Sequence, residues 1–285
     1  MKTIAIYHNK GGVGKTTTAV NLAAAFQNKG KRVLLVDIDA QANSTFATGL
    51  IKFQFEEDDD LKDKNVFHLI NSSDFDFIPD IVRRSNGFND PEIDVIPSHI
   101  ILIDEQPRLT QLSATRFRLT RKLQQVEHDY DVVIIDVPPS RDLYAEIALI
   151  AADYLIIPSD MKPFANQGLS NVKDLVAQVN EVRSGIGKDP VNVLGVLASK
   201  ILTNPKYLKF TFPKQREAVI QHYDLPILDT VIYERTALAN CVNATLTMGE
   251  MVIPDPKSIF MLGRDSDSAE DFQNLSHEVT QKTGV

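Results

Sequence analysis

The 285-residue chain is 43% hydrophobic and 24% charged, the balance of a globular protein with ample length for a buried core. Its 38 acidic and 30 basic side chains give a formal net charge of −8, which excludes a globally basic nucleic-acid coat but leaves room for a local basic patch. A single cysteine, Cys241, excludes an intrachain disulfide and a cysteine-built metal cluster, and suits a reducing cytoplasm.

An apolar run at residues 3–7 is too short for a signal-peptide core and reads as a strand ending in a glycine-rich turn. A helix is predicted over 15–28, where Val20, Ala23, Ala24 and Gln27 fall at helical spacing and Lys29-Gly30 closes it. Residues 33–36 are apolar throughout, as in a strand buried on both faces. The stretch from 50 to 90 is the least regular. It holds the acidic run Glu56, Glu57, Asp58, Asp59 and Asp60, expected as a solvated loop, a helical segment at 66–71 and a turn at Ser85-Asn86-Gly87. Strands are predicted at 93–96, 131–136, 154–157 and 191–198, and helices at 108–127, 167–182, 217–222 and 237–248. The most apolar stretch, 143–158, is broken by Glu146 and Asp153 and does not read as a membrane span. A mainly polar helical tail at 266–285 carries Phe272, Leu275 and Val279 on one side. Buried strands alternating with helices predict an α/β fold, a mostly parallel twisted sheet covered by helices on both faces. No repeat, low-complexity tract or linker divides the chain, so one domain over 1–285 is expected.

The chemistry concentrates where the first strand meets the first helix. Residues 9–17 read Asn-Lys-Gly-Gly-Val-Gly-Lys-Thr-Thr. Glycines let such a loop wrap so that several N–H groups point at phosphate oxygens, and the helix N-terminus adds unpaired donors and partial positive charge. Gly11, Gly12, Val13 and Gly14 supply that cradle, Lys15 reaches the β- and γ-phosphates, the Thr16 hydroxyl is a Mg²⁺ ligand, and Thr17 lies near the α-phosphate. The general pattern G-x-x-x-x-G-K-S/T asks for glycine at position 9, where this chain has Asn9, followed by an additional lysine, Lys10. Hydrolysis also needs carboxylates at neighbouring strand ends. Asp136 closes the run at 132–135, as a residue bearing on Mg²⁺ would. Asp37 and Asp39 follow the run at 33–36 on one side of the chain, Asp37 nearer the sheet and metal, Asp39 free to reach the γ-phosphate.

With these residues in view, the sequence resembles the deviant Walker-A ATPases of the ParA/Soj/MinD group, and ParA/Soj partition ATPases in particular. The resemblance rests on NKGGVGKTTTAVNLA (9–23), KRVLLVDIDAQANST (31–45) and YDVVIIDVPPS (130–140), more loosely on LIIPSDMKPFANQGLSNV (155–172), and weakly on VIYERTAL (231–238). It implies a P-loop NTPase fold and a homodimer that forms around two ATP molecules, with Lys10 crossing to the partner's phosphates. It also implies that Asp39 orients the attacking water, so that hydrolysis is slow until a partner stimulates it. Adenine contacts are implied near Ser199 and Lys200 and near Ile232 and Tyr233. Ala40 and Ala42 depart from the proline and glycine of the usual D-x-D-P-Q-G-N.

Within that group, Cys241 lies far from the nucleotide motifs, which argues against the iron–sulfur branch. The tail has Asp271 and Glu278 against Lys282 and a narrow apolar stripe, which argues against a membrane-cycling, MinD-like protein. A ParA-like protein would bind DNA non-specifically as the ATP dimer, work with a ParB-like adaptor, and sit on the nucleoid in the cytoplasm. Two basic clusters are candidates for that contact: Arg116, Arg118, Arg121 and Lys122; and Lys200, Lys206, Lys209, Lys214 and Arg216, interleaved with Tyr207, Phe210 and Phe212. A P-loop biosynthetic enzyme that spends ATP on a small acid is the alternative from another class.

Overall fold

The apolar runs become the strands of one sheet. The computed structural model describes residues 1–51, 58–74, 79–248, 251–262 and 266–285; Glu56 and Glu57 of the acidic run lie outside them. In chain order the elements are β1 (Lys2–Ile6), α1 (Lys15–Asn28), β2 (Val33–Asp37), α2 (Asn43–Ala47), α3 (Val66–Asn71), β3 (Arg83–Arg84), β4 (Asp94–Ile96), α4 (Ile101–Thr110) and α5 (Thr115–Gln125). They continue with β5 (Val132–Asp136), α6 (Leu143–Ala151), β6 (Tyr154–Ser159), α7 (Pro163–Gly185), β7 (Asn192–Ile201), α8 (Phe212–Tyr223) and β8 (Ile227–Tyr233). The last are α9 (Thr236–Val242), β9 (Thr245–Met248), β10 (Met251–Pro254), α10 (Ile259–Leu262) and α11 (Asp267–Thr283).

Eight strands pair in the order β3-β4-β2-β5-β1-β6-β7-β8, parallel throughout except where β3 meets β4. Every residue of β2 and β5 is buried, because helices cover both faces of those strands. One core holds Ala5, Leu34, Val133 and Leu155 under α3 to α8; the other holds Ile4, Leu35, Ile134 and Phe26 under α1, α10 and α11. Strand β1 lies between β5 and β6, so the chain leaves it at the carboxyl ends of the central strands, where open α/β sheets place their ligands.

Three predicted elements are corrected. The single helix at 108–127 is two helices, α4 and α5, and α4 runs through Pro107 from Ile101. The helix at 237–248 stops at Val242, and residues 245–248 form β9, antiparallel to β10. Helix α7 begins at Pro163, whose missing N–H costs nothing at the first helical turn. Strand β8 went unread because its alternation is interrupted by Asp229 and Thr230; Glu278 of α11 holds it by accepting from both of their backbone N–H groups at 2.9 Å.

The tail's apolar stripe is part of the core. Phe272, Leu275 and Val279 of α11 are fully buried against α1 and β8. No helix among the described residues is long and apolar enough to cross a membrane.

Candidate nucleotide site

The loop between β1 and α1 sits at the floor of a cleft of about 500 Å³ lined by Gly11, Gly12, Gly14, Lys15, Thr16 and Thr17, by Asp39 and Gln41, and by Ser199 and Lys200. Its far wall is Ile232, Tyr233, Arg235, Leu238 and Val242. Of the positions read from the sequence, Gly11, Gly12, Gly14, Lys15, Thr16, Thr17, Asp39, Ser199, Lys200, Ile232 and Tyr233 line this one space, whereas Lys10, Val13, Asp37 and Asp136 do not. Gly12 and Gly14 adopt φ of 76° and 90°, the left-handed region that glycine enters without a steric penalty. Val13 is buried beneath the loop, where its carbonyl accepts a 2.5 Å hydrogen bond from the Ser199 hydroxyl. The Lys200 ammonium donates to the Gly12 carbonyl at 3.2 Å. Ser199 and Lys200 thus brace the loop from behind as well as lining the cleft.

Lys15 is 7% exposed, and its ammonium donates to the Lys10 carbonyl at 3.0 Å, folding back over the loop. Burial lowers its pKa, and the charges of Asp136 and Asp39 work against that drop. The Thr16 hydroxyl donates to Asp136 Oδ2 at 2.8 Å, and the Ser44 hydroxyl donates to the same oxygen at 2.7 Å. Asp136 Oδ1 is buried with no hydrogen-bond partner. A buried carboxylate oxygen without a donor is costly, and here it lies beside the threonine that a P-loop offers to a cation. The residues fit Mg²⁺, which Thr16 and Asp136 would hold beside the phosphates. Among the described residues no group of three His, Cys, Asp or Glu side chains converges on a metal site, so phosphate and water would complete the coordination.

Asp37 pairs with Asp136 in register across β2 and β5. Burial, and then repulsion from Asp136, push its carboxyl above the usual carboxylate range. Asp37 Oδ2 accepts from the Thr45 N–H at 2.8 Å and hydroxyl at 2.7 Å, and Oδ1 accepts from the Asp39 N–H at 3.1 Å. Both oxygens are engaged in folding the loop that follows β2, which sets Asp37 behind the cleft rather than in its lining. Asp39 lines it: Oδ1 accepts from the Gln41 N–H at 3.0 Å. Ser44 and Thr45 were not singled out from the sequence; their only signal was a hydroxyl pair seven and eight residues after Asp37.

Ala42 stands where the resemblance expected glycine, and it takes φ 51°, a left-handed conformation that costs a Cβ-bearing residue about 1 kcal/mol. Ala42→Gly is expected to raise stability by no more than about 0.6 kcal/mol, since strain relief slightly outweighs the added unfolded-state freedom. The denaturant midpoint would show it.

Lys10 does not line the cleft: its carbonyl accepts from Lys15, and its ammonium lies 3.5 Å from Asp160 Oδ2 and 5.0 Å from the centre of the Phe164 ring. Arg235, also unread from the sequence, stacks over Tyr233 at 4.8 Å and is held by Asp271 of α11, so the base-side wall is tied to the last helix.

With this geometry in place, the comparisons become specific. A family model described as an AAA domain matches residues 1–188. The sporulation initiation inhibitor protein Soj of Bacillus subtilis is 41% identical over 180 residues, 63% of this chain and 66% of Soj. A ParA family protein of Chlamydia muridarum is 35% identical over 204 residues, 70% of this chain and 72% of its own length. The chain belongs to the ParA/Soj family. Among solved structures, cobyrinic acid a,c-diamide synthase of Mycobacterium smegmatis, with bound ADP and magnesium, superposes with a TM-score of 0.77 at 24% identity, covering 100% of this chain and 96% of that one. An ATP complex of a McdA variant from Cyanothece gives 0.76 at 22% identity, covering 98% and 96%. These two likenesses show that this ParA/Soj family member shares its fold with both cobyrinic acid a,c-diamide synthase and McdA.

The two basic clusters are not alike. Arg118 is buried and donates to the carbonyls of Ile70 and Asn71 at 2.8 and 2.7 Å, Lys122 is fully buried, and Arg116 pairs with Glu146 at 2.7 Å. That cluster holds α5 to its neighbours. In the other, Lys206, Lys209 and Lys214 are exposed and make no ion pair among the described residues, and Phe210 beside them is 59% exposed. They surround a single π-helical turn, Tyr207–Thr211, that leads into α8.

Proposed function

We propose that this protein is a ParA-like ATPase that binds Mg-ATP in the cleft, forms an ATP-bridged homodimer through Lys10, and in that state holds non-specific DNA to partition or position a cargo. The observation that carries this reading is the assembly, around one cleft, of Lys15, the Thr16–Asp136 pair and Asp39, with the second lysine, Lys10, joined to Lys15 through its carbonyl. Backbone N–H groups of the glycine loop and the Lys15 ammonium neutralise the phosphates. Bound Mg²⁺ would supply charge neutralisation at the β- and γ-phosphate oxygens. Asp39 orients the attacking water, and an adaptor of the ParB kind stimulates turnover and release from DNA. This work belongs in the cytoplasm, on the nucleoid. It is favoured over the membrane-cycling alternative because the apolar face of α11 is spent on the core, and over the biosynthetic alternative because an exposed, unpaired lysine surface with an exposed phenylalanine suits a nucleic-acid backbone.

The DNA surface has its own test. Replacing Lys206, Lys209 and Lys214 together by alanine is expected to weaken ATP-dependent DNA binding at least roughly tenfold and to reduce the slope of log affinity against log salt by up to about 3 per subunit. Arg116→Ala, whose charge is already paired, leaves both unchanged. An unaltered salt slope in the triple variant would remove this surface from the proposal.

A further inference from the structure

Lys10 is held by its own subunit at two points: its side chain by the segment that opens α7, and its backbone by His8, which packs against α7. At the side chain, its ammonium lies 3.5 Å from Asp160 Oδ2 and over the Phe164 ring, with only 22% of the side chain exposed. Asp160 is shared with Lys162, which approaches the same oxygen at 3.9 Å, so two cations draw on one carboxylate. At the backbone, the Lys10 N–H donates to His8 Nδ1 at 3.0 Å. His8 is fully buried, and desolvation together with the Lys15 charge pushes its pKa down to about 4, so the ring stays a neutral acceptor. Its other side is wedged against α7: a Cβ built on Gly168 would come within 2.6 Å of His8 Cε1 and 2.5 Å of Asn9 Oδ1. Only glycine lets the helix approach the loop this closely. Between Asp160 and Gly168, Met161 takes φ 57° with its side chain buried, a left-handed backbone that is strained for a residue with a Cβ.

These contacts carry a consequence for the dimer. An ammonium committed to its own subunit's carboxylate and ring is unavailable to phosphates on another, and release has a cost that phosphate charge must exceed. Phe164, 71% exposed beside Lys10, gives an apolar handle on the same segment. We infer that Asp160, Phe164 and His8 are positioning residues that keep Lys10 sequestered within its own subunit, so that release of Lys10 by the segment from Asp160 to Gly168 sets how readily the ATP-bridged dimer forms. This inference rests on the dimer proposed above. His8 sets the loop's position against α7, while Asp160 and Phe164 set where the ammonium rests.

The experiment measures two quantities on the full chain. The first is the dimer dissociation constant with Mg-ATP, by sedimentation equilibrium in an Asp39→Ala background that suppresses turnover. Asp160→Asn is expected to tighten the dimer about tenfold, because two latches are released and each partly exposed ion pair contributes about threefold. Phe164→Ala, a change at an exposed position that spares the fold, shifts it the same way, and Asp160→Glu restores the wild-type value. A defect of folding would weaken the dimer instead. The second is the acylation rate of the Lys10 amine by an N-hydroxysuccinimide ester in the nucleotide-free protein, read by peptide mass spectrometry and expected to rise about threefold in Asp160→Asn. Unchanged labelling together with an unchanged or weaker dimer overturns the latch. A parent protein that stays monomeric with ATP overturns the dimer reading instead, and the labelling rate then decides whether Lys10 is sequestered.

Discussion

A Lys15→Ala variant is expected to bind ATP about 10²–10³-fold more weakly than the wild-type protein, a loss of ~3–4 kcal/mol. The size follows from where the ammonium sits. It is almost fully buried on the cleft floor, its charge opposed by desolvation and supported by Asp136 and Asp39. Within the chain its ammonium donates to one backbone carbonyl, that of Lys10. Triphosphate oxygens offer a far better counter-charge, so much of the binding free energy passes through this side chain. Alanine removes the charge together with its desolvation cost, so the nucleotide-free fold should keep a thermal midpoint close to that of the wild type. Calorimetric titration with Mg-ATP, beside a melt without nucleotide, separates the two effects. Wild-type affinity in this variant would overturn the assignment of the cleft.

Asp39→Ala acts on turnover rather than on affinity. Hydrolysis is expected to fall by about 10²–10⁴-fold, the usual contribution of a positioned acid–base group, while ATP affinity stays within a few-fold of wild type. The carboxylate reaches the cleft because Asp37 pins the loop behind it: the Asp39 N–H donates to Asp37, and Thr45 closes the turn from the other side. One oxygen accepts from Gln41, and no partner for the other occurs among the described residues, which leaves it to the cleft. Loss of the group should therefore trap the ATP-bound dimer, visible as a species of doubled mass that persists with ATP and disperses with ADP. Turnover at the wild-type rate would take Asp39 out of this role.

Much of this site was legible because its chemistry constrains local sequence tightly. A strand, a glycine loop, Gly-Lys-Thr and a helix must follow one another for backbone N–H groups to face phosphate, and that order can be read without tertiary information. Asp136 could be read as a strand-end carboxylate for the same reason. What could not be read was the use of each side chain in three dimensions. Arg118 and Lys122 look like half of a basic patch in sequence, yet one turns inward to cap the carbonyls of Ile70 and Asn71 and the other is fully buried. Asp37 and Asp39 read as a pair on one side, Asp37 nearer the sheet and Asp39 freer; what the sequence did not give is that both Asp37 oxygens are taken up in bracing the loop behind the cleft that Asp39 lines. The latch on Lys10 was hidden for a similar reason. Gly168 falls within a segment that merely continues a helix, and its need for glycine comes from His8 and Asn9, far away in the chain.

The lower wall of the cleft raises one further point of construction. Ser199 and Lys200 close β7 directly behind the glycine loop, and Lys200 takes φ 55° to bring its ammonium to the Gly12 carbonyl. The π-turn bearing Lys209 and Phe210, with Lys206 just before it, follows within a few residues. The braces of the phosphate loop and the proposed DNA surface are thus consecutive on one stretch of chain.

The measurement that bears most directly on the whole account is retention of the wild-type protein on non-specific duplex DNA with ATP, with ADP and without nucleotide, across a salt series. The account expects retention with ATP alone, fading steeply as salt rises because phosphate contacts carry it. Equal retention in all three states, or none in any, would contradict an ATP-dependent hold on DNA.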